Sequence, residues 1–256
     1  MLAWEKKAFL EGASIIIGVD EAGRGPLAGP VVAGAVILGL HPLKRFRIPG
    51  YKEKIDDSKK LRPSQREKAF REISARTIFG IGIKDNKYID RKNIHSATLA
   101  AMRQAVKRLI SRFCRLNNKK EKAIRKDICV LVDGMFGGFL PYRTIPIIKG
   151  DSKSISIAAA SIVAKVTRDA IMGRYDRKYP IYGFSKHKGY GTKLHMEAIE
   201  RHGACSIHRK SFAPLKKLAE PRGSSCSFHS QLTRKNAEIK DEFQRSSALC
   251  SAYFRD

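Results

Sequence analysis

Three short apolar runs of this chain, "SIIIGVD" (14–20), "DICVLVDG" (127–134) and "RTIPIIKGD" (143–151), close on an acid. Short β-branched runs of this kind read as buried strands. Strands that share one edge of a sheet deliver their terminal residues to one place, so Asp20 with its neighbour Glu21, Asp133 and Asp151 are expected to converge. Crowded carboxylates cannot all stay ionised without a cation between them. Oxygen donors select a hard divalent ion, magnesium or manganese. Each acid alone also has a plain structural role: Asp133-Gly134 is a common turn opener, and Asp151 favours the start of a following helix. Their repeated position is what carries the reading.

The first acids lie in "GVDEAGRGPLAG" (18–29). Consecutive side chains of a regular strand point to opposite faces, so Asp20 and Glu21 are expected to share a site only if the strand loses its regularity at Glu21. Ala22-Gly23-Arg24-Gly25 supplies the freedom for that turn. A dinucleotide-binding loop fits poorly, because glycines at 23, 25 and 29 with Pro26 between them break the G-x-G-x-x-G pattern, and the acids repel a pyrophosphate. Glycines flanking an arginine do allow close approach of a phosphodiester backbone.

The partner class follows from charge. Among 256 residues, 51 Lys and Arg against 24 Asp and Glu give +27, a balance that attracts polyanions, nucleic acid ahead of anionic lipid. Residues 219–256 hold six basic and five acidic groups, so the charge belongs to the body of the protein. Five widely spaced cysteines without a C-x-x-C pair read as free thiols in a reducing compartment, with no zinc site. The N-terminus lacks the apolar stretch of a signal peptide, and the longest apolar run, 26–40, is broken by glycine and proline and falls short of the ~20 residues of a membrane span. The expectation is a soluble, cytoplasmic protein.

"PVVAGAVILGL" (30–40) reads as a second strand, antiparallel to the first through the glycine-rich turn. A helix is predicted over 62–74 with Pro63 in its first turn, and a strand over 75–84. Helices follow over 93–113, where Leu99, Met102, Val106, Ile110 and Phe113 line one face, over 152–175 with Ser154 as N-cap, and over 193–201. Residues 219–256 read as an appended, partly disordered tail with a short helix near 235–244.

Several long blocks now align in order with one family: "GVDEAGRGPLAGPVVAGAV", "DSKKL" (57–61), "NIHSATLAAMRQAV" (93–106), "LVDG" (131–134), "IIKGDSKSISIAAASIVAKVTRD" (147–169) and "YGFSKHKGYGTKLHMEAIERHGACSIHRKSFAPLKKL" (182–218). From Ile15 to Lys217 the chain resembles the ribonuclease HII family, the bacterial type 2 ribonucleases H. The stretches 1–13, 117–126 and 219–256 lie outside the family pattern. The resemblance implies an α/β ribonuclease H-like fold, a five-stranded mixed sheet flanked by helices with a C-terminal helical extension. It divides the chain into a catalytic domain over 14–218 and a variable tail over 219–256. It places the family's metal-binding acids on Asp20, Glu21, Asp133 and Asp151, its Gly-Arg-Gly motif on Gly23, Arg24 and Gly25, and its substrate-sensing tyrosine on Tyr190. The implied enzyme is an endonuclease with two magnesium or manganese ions. It cuts RNA in RNA/DNA hybrids and the 5′ side of ribonucleotides embedded in DNA, leaving 5′-phosphate and 3′-hydroxyl ends.

Lys59, Lys186 and Lys188 are candidate phosphate contacts, whereas His95, His195 and His208 are read as packing or hydrogen-bonding residues. A monomer without membrane contact is expected, with the tail available to a partner such as a replication clamp. Two rivals share parts of the pattern. Another metal nuclease of the same fold would keep the acids but lack the Gly-Arg-Gly and Lys-Gly-Tyr blocks. A non-catalytic nucleic-acid binder would keep the charge but gain nothing from acids that repel phosphate.

Overall fold

A computed structural model describes residues 1–38 and 51–216. Five strands, β1 (Ile15–Ala22), β2 (Val31–Ile37), β3 (Ile78–Lys84), β4 (Ile128–Asp133) and β5 (Arg143–Ile147), form one mixed sheet in the order β3-β2-β1-β4-β5. β1, β2 and β3 pair antiparallel, and β4 and β5 continue the sheet parallel to β1. The helices are α1 (Ala3–Leu10), α2 (Pro63–Arg76), α3 (Asn86–Lys92), α4 (Ile94–Leu116), α5 (Glu121–Ile124), α6 (Ile155–Lys178), α7 (Phe184–His187) and α8 (Lys193–His202).

Strand alternation assigns the two faces. Ile15, Ile17 and Val19 of β1, with Val130 and Val132 of β4, pack against Ala101, Met102, Ala105 and Leu109 of α4. The intervening residues Ile16, Cys129 and Leu131 pack against Ile157 of α6. α6 approaches β1 so closely that a Cβ on Gly18 would meet the Ser156 carbonyl carbon at 2.0 Å, which requires glycine there. Because Ser156 to Ala164 are buried without interruption, the N-terminal half of α6 is enclosed on every side and carries little helical periodicity.

The first turn of α6 is held from far away. Ser154 is its N-cap, accepting from the Ile157 N–H at 3.2 Å. Glu5 of α1, itself buried, accepts from the Ser154 hydroxyl at 2.5 Å and from the Ser156 N–H at 3.0 Å. Together with the Ile155 N–H, which donates to the Met1 carbonyl at 3.0 Å, the Ser156 N–H makes two of the helix's orphan donors that are satisfied by a segment outside the family pattern.

The predicted elements are present with shifted ends, and two expectations need correction. The run 143–151 is not one strand ending on an acid: β5 stops at Ile147, and Asp151 lies on a single 3-10 turn, Gly150–Ser152, that leads into α6. Nor does β1 break at Glu21, since Glu21 and Ala22 remain paired with Ala33 and Val32 of β2. The pairing with β4 ends earlier, at Val19 and Val132. Asp20 and Glu21 therefore project past the last β1–β4 pair while β2 still holds them. With β1 unbroken, both carboxylates nonetheless feel Asp133. Residues 39 and 40 of the second predicted strand, and the tail with its predicted helix, lie outside the described residues.

Candidate active site

Asp20 shares its face of β1 with Gly18, and Asp133 ends β4 on that same side. The Asp133 carboxylate accepts from the Gly150 N–H at 2.6 Å, which ties the end of β4 to the turn bearing Asp151. Burial first, then the Glu21 and Asp133 carboxylates, hold Asp20 well above the usual carboxylate range. Glu21 is raised by burial, against the pull of Arg24 and with the push of Asp133. Asp151 is raised by burial and by Asp57 and Asp133, with Lys59 opposing. The four predicted acids thus occupy one corner and feel one another. Among the described residues, however, no three His, Cys, Asp or Glu side chains are gathered as a closed metal cage.

The donor chemistry suits a hard divalent cation. All donors are oxygens, and Glu21 Oε2 is buried with no hydrogen-bond partner. A buried carboxylate oxygen without a donor is costly to leave so, and a cation removes that cost.

Next to the acids runs the glycine turn. Gly23 has φ +96°, and a Cβ there would meet Arg168 Nε at 2.0 Å, so conformation and space both require glycine. Arg24 is exposed, reaches Glu21 Oε1 at 3.4 Å, and lies over the Phe136 ring at 5.3 Å. At Gly25 the surface is open except toward Tyr190, whose Cε1 would be 3.8 Å from an added Cβ. Tyr190 is 47% exposed, a large aromatic face turned to solvent. The two segments are joined by a main-chain bond, Leu27 N–H to Gly189 O at 2.8 Å, and Leu27 in turn accepts from the Arg209 N–H at 2.8 Å.

Two buried arginines hold the turn, and sequence reasoning missed both. Arg209 donates to the carbonyls of Gly23 at 2.6 Å, Arg24 at 2.8 Å, Gly29 at 3.0 Å and Pro30 at 3.2 Å. Arg168 donates to Pro30 at 3.1 Å and Ala28 at 3.2 Å. Burial, and then the charge of Arg168, push the Arg209 guanidinium down to about 9. A signal for Arg168 was present: it lies four residues from Ala164 and four from Met172, in line with buried positions of α6. For Arg209 no local pattern existed.

The lysines separate. Lys59 Nζ lies 3.5 Å from Asp151 Oδ2, at the acid corner. Lys186 is exposed and Lys188 half-buried, and both belong to the segment carrying Tyr190. His195 and His208 are buried and hydrogen-bonded, as expected of packing residues, and His95 lies 5.5 Å from the Phe136 ring.

The family model described as Ribonuclease HII matches residues 17–215. The chain belongs to the ribonuclease HII family. Its curated relatives include the ribonuclease HII of Ruminiclostridium cellulolyticum, 50% identical over 213 residues, covering 83% of this chain and 75% of the relative. That of Geobacter sulfurreducens is 48% identical over 221 residues, 86% of this chain and 92% of the relative. Among solved structures, ribonuclease H2 from Pyrococcus horikoshii superposes with a TM-score of 0.58 at 25% identity, covering 80% and 96% of the two chains. Bst-RNase HIII in complex with Mn2+ gives 0.61 at 18% identity over 82% and 71%, a likeness of fold. Family membership makes the chain an endoribonuclease with the ribonuclease H fold. Among the described residues, no helix is long and apolar enough to cross a membrane.

Proposed function

We propose that this ribonuclease HII hydrolyses the RNA strand of RNA/DNA hybrids and cuts on the 5′ side of ribonucleotides embedded in duplex DNA, leaving 5′-phosphate and 3′-hydroxyl ends. The observation that carries the reading is one adjacency: a corner of buried carboxylates beside a rigidly held Gly-Arg-Gly turn that faces Tyr190. Asp20, Glu21, Asp133 and Asp151 would hold two magnesium or manganese ions, which when bound supply activation of water and charge stabilisation at a phosphodiester. The Mn2+ complex of the related RNase HIII supports that class of cation.

The remaining work falls to the chain itself. The basic body draws in the polyanion, and Lys59 beside Asp151 is placed to meet a phosphate, with Lys186 and Lys188 reaching the backbone further along. The 2′-hydroxyl is what distinguishes a ribonucleotide from its deoxy neighbours. Gly23, Arg24 and Gly25 read it, with Gly25 and the Arg24 guanidinium exposed to solvent and Gly23 buried beneath them. Tyr190 stacks on the next sugar, where a second hydroxyl does not fit.

A duplex carrying a single ribonucleotide tests the reading. Magnesium-dependent nicking 5′ to that nucleotide is expected; tight binding without cleavage overturns it. For the tail we propose contact with a replication clamp, supported by a related structure described as a PCNA:RNase HII complex from Archaeoglobus fulgidus. Deleting residues 219–256 should abolish clamp binding and leave nicking of free duplex intact.

A further inference from the structure

The main chain of Tyr190 is tied to three histidines for which the cleavage chemistry has no use. At one end, the Cys205 N–H donates to His208 Nδ1 at 2.9 Å, and the Cys205 thiol lies 3.1 Å from the same nitrogen. A backbone N–H can only donate, so Nδ1 holds the lone pair and the ring proton of neutral His208 sits on Nε2. The Cys205 carbonyl, 3.3 Å from Nδ1, then receives no proton. At the other end, His195 Nδ1 lies 2.9 Å from the Tyr190 carbonyl, which can only accept, so the proton of His195 sits on Nδ1. Between the two ends, His208 Nε2 and His195 Nε2 face each other at 3.0 Å. The assignments made independently from either end leave one donor and one acceptor across that gap.

The surroundings keep both rings in this state. His195 is 0% exposed and His208 1% exposed, and burial pushes each down to about 4, so both are neutral near pH 7. Phe184 packs edge-on against His195 at 5.4 Å, and Tyr182 against His208 at 5.1 Å. His187 stacks on His195 at 4.4 Å; it accepts from the Gly189 N–H at 3.2 Å and donates to the Tyr182 carbonyl at 2.7 Å. The Tyr190 carbonyl takes a second bond from Thr192 at 2.8 Å, and the Tyr190 N–H donates to His187 O at 2.9 Å. The exposed phenol is therefore carried on a backbone whose polar groups are all engaged from beneath.

We propose that His208 and His195 form a one-way hydrogen-bond relay that positions Tyr190, and through it sets the preference for a deoxyribose on the 3′ side of the cut ribonucleotide. They are positioning residues, and the specificity half of the proposal rests on the reading of Tyr190 given above. The test compares kcat/KM on a duplex with one embedded ribonucleotide and on a uniform RNA/DNA hybrid. His195→Phe keeps an aromatic ring and loses both bonds. It should lower the ratio of the two values about tenfold, the scale of one lost positioning bond, because the single-ribonucleotide rate falls more than the hybrid rate. His195→Asn places an amide N–H where Nδ1 donates, and should restore most of the ratio. Long-range 15N–1H spectra of the wild-type imidazoles should show His195 protonated on Nδ1 and His208 on Nε2.

An unchanged ratio in His195→Phe, beside a lowered one in Tyr190→Ala, overturns the proposal. The opposite tautomers in the wild-type spectrum overturn it too, without requiring any variant to fold. An unchanged ratio in Tyr190→Ala overturns the reading of Tyr190 itself, and the spectrum then decides the relay alone.

Discussion

The acid corner and the glycine turn adjoin at one end of the same sheet, yet they are built on opposite terms. At the corner, like charges are buried together and Glu21 Oε2 has no donor. At the turn, carbonyl after carbonyl is met by the guanidinium of Arg209 or Arg168. The first region is left electrostatically incomplete, and the second is over-determined. On the proposed function, the corner captures a cation and then a polyanion and needs its charge unbalanced, whereas the turn reads a single hydroxyl and needs a surface that does not yield.

The sharpest way to break this contrast is Asp20→Asn. Cleavage should fall about 10³-fold or more, several kcal/mol of lost charge stabilisation. With a chelator present the same variant should melt higher than wild type, by about 2–4 °C per kcal/mol of relieved repulsion. An unchanged or lower melting point would remove the claim that the corner is strained.

Next in size is the turn's brace. Arg209→Met should cost more than about 3 kcal/mol in urea unfolding, because several buried carbonyls lose their donor at once. The exposed Arg24→Ala should stay within about 0.5 kcal/mol while cleavage drops. Equal stability losses in the two variants would erase the distinction between holding and reading.

A smaller effect separates the two glycines. Gly23→Ala forces a side chain into a positive φ and onto Arg168, and should cost about 2 kcal/mol. Gly25→Ala should unfold within about 0.5 kcal/mol of wild type, its added methyl meeting only Tyr190. Its effect should appear in single-ribonucleotide cleavage instead.

The last contrast is in pH dependence, where the regions differ in sign. His195 and His208 are held at about 4 in the fold, against an unfolded value of about 6.5. Between those limits the unfolded chain binds more protons, so this part of the stability is present above pH 6.5 and is lost as pH falls toward 4. The carboxylates, raised in the fold, favour it at low pH and penalise it as pH rises past them. Magnesium should flatten the carboxylate limb of a urea-midpoint profile and leave the histidine limb. A profile that magnesium leaves unaltered would contradict a cation at the corner.

How much of this was legible follows the range of the forces involved. The strands declared themselves through apolar runs with polar ends, and the acids through their place after those runs, so Asp20, Glu21 and Asp133 were found by local pattern. Asp151 was found for a partly wrong reason, since a 3-10 turn, not a strand, delivers it. The supposed break at Glu21 came from strand alternation, which sends consecutive side chains to opposite faces, whereas the strand stays paired with β2 there and only its β4 neighbour stops. Arg209 and the tautomers of His195 and His208 were invisible because their partners are backbone groups or residues fixed only by the finished fold. Glu5 was missed for the same reason, its partners being 149 and 151 positions away.

That last bond bears on how the protein is made. Glu5 lies 149 positions ahead of Ser154, so it is made while the helix whose first turn it holds is still to be translated. β1, bearing Asp20 and Glu21, must likewise wait for the strand that ends in Asp133 and the turn that holds Asp151. Contacts this distant in sequence close late and slow folding. A nascent chain thus displays basic residues before its carboxylates can assemble, because the acid corner closes only once the chain has been made past Asp151.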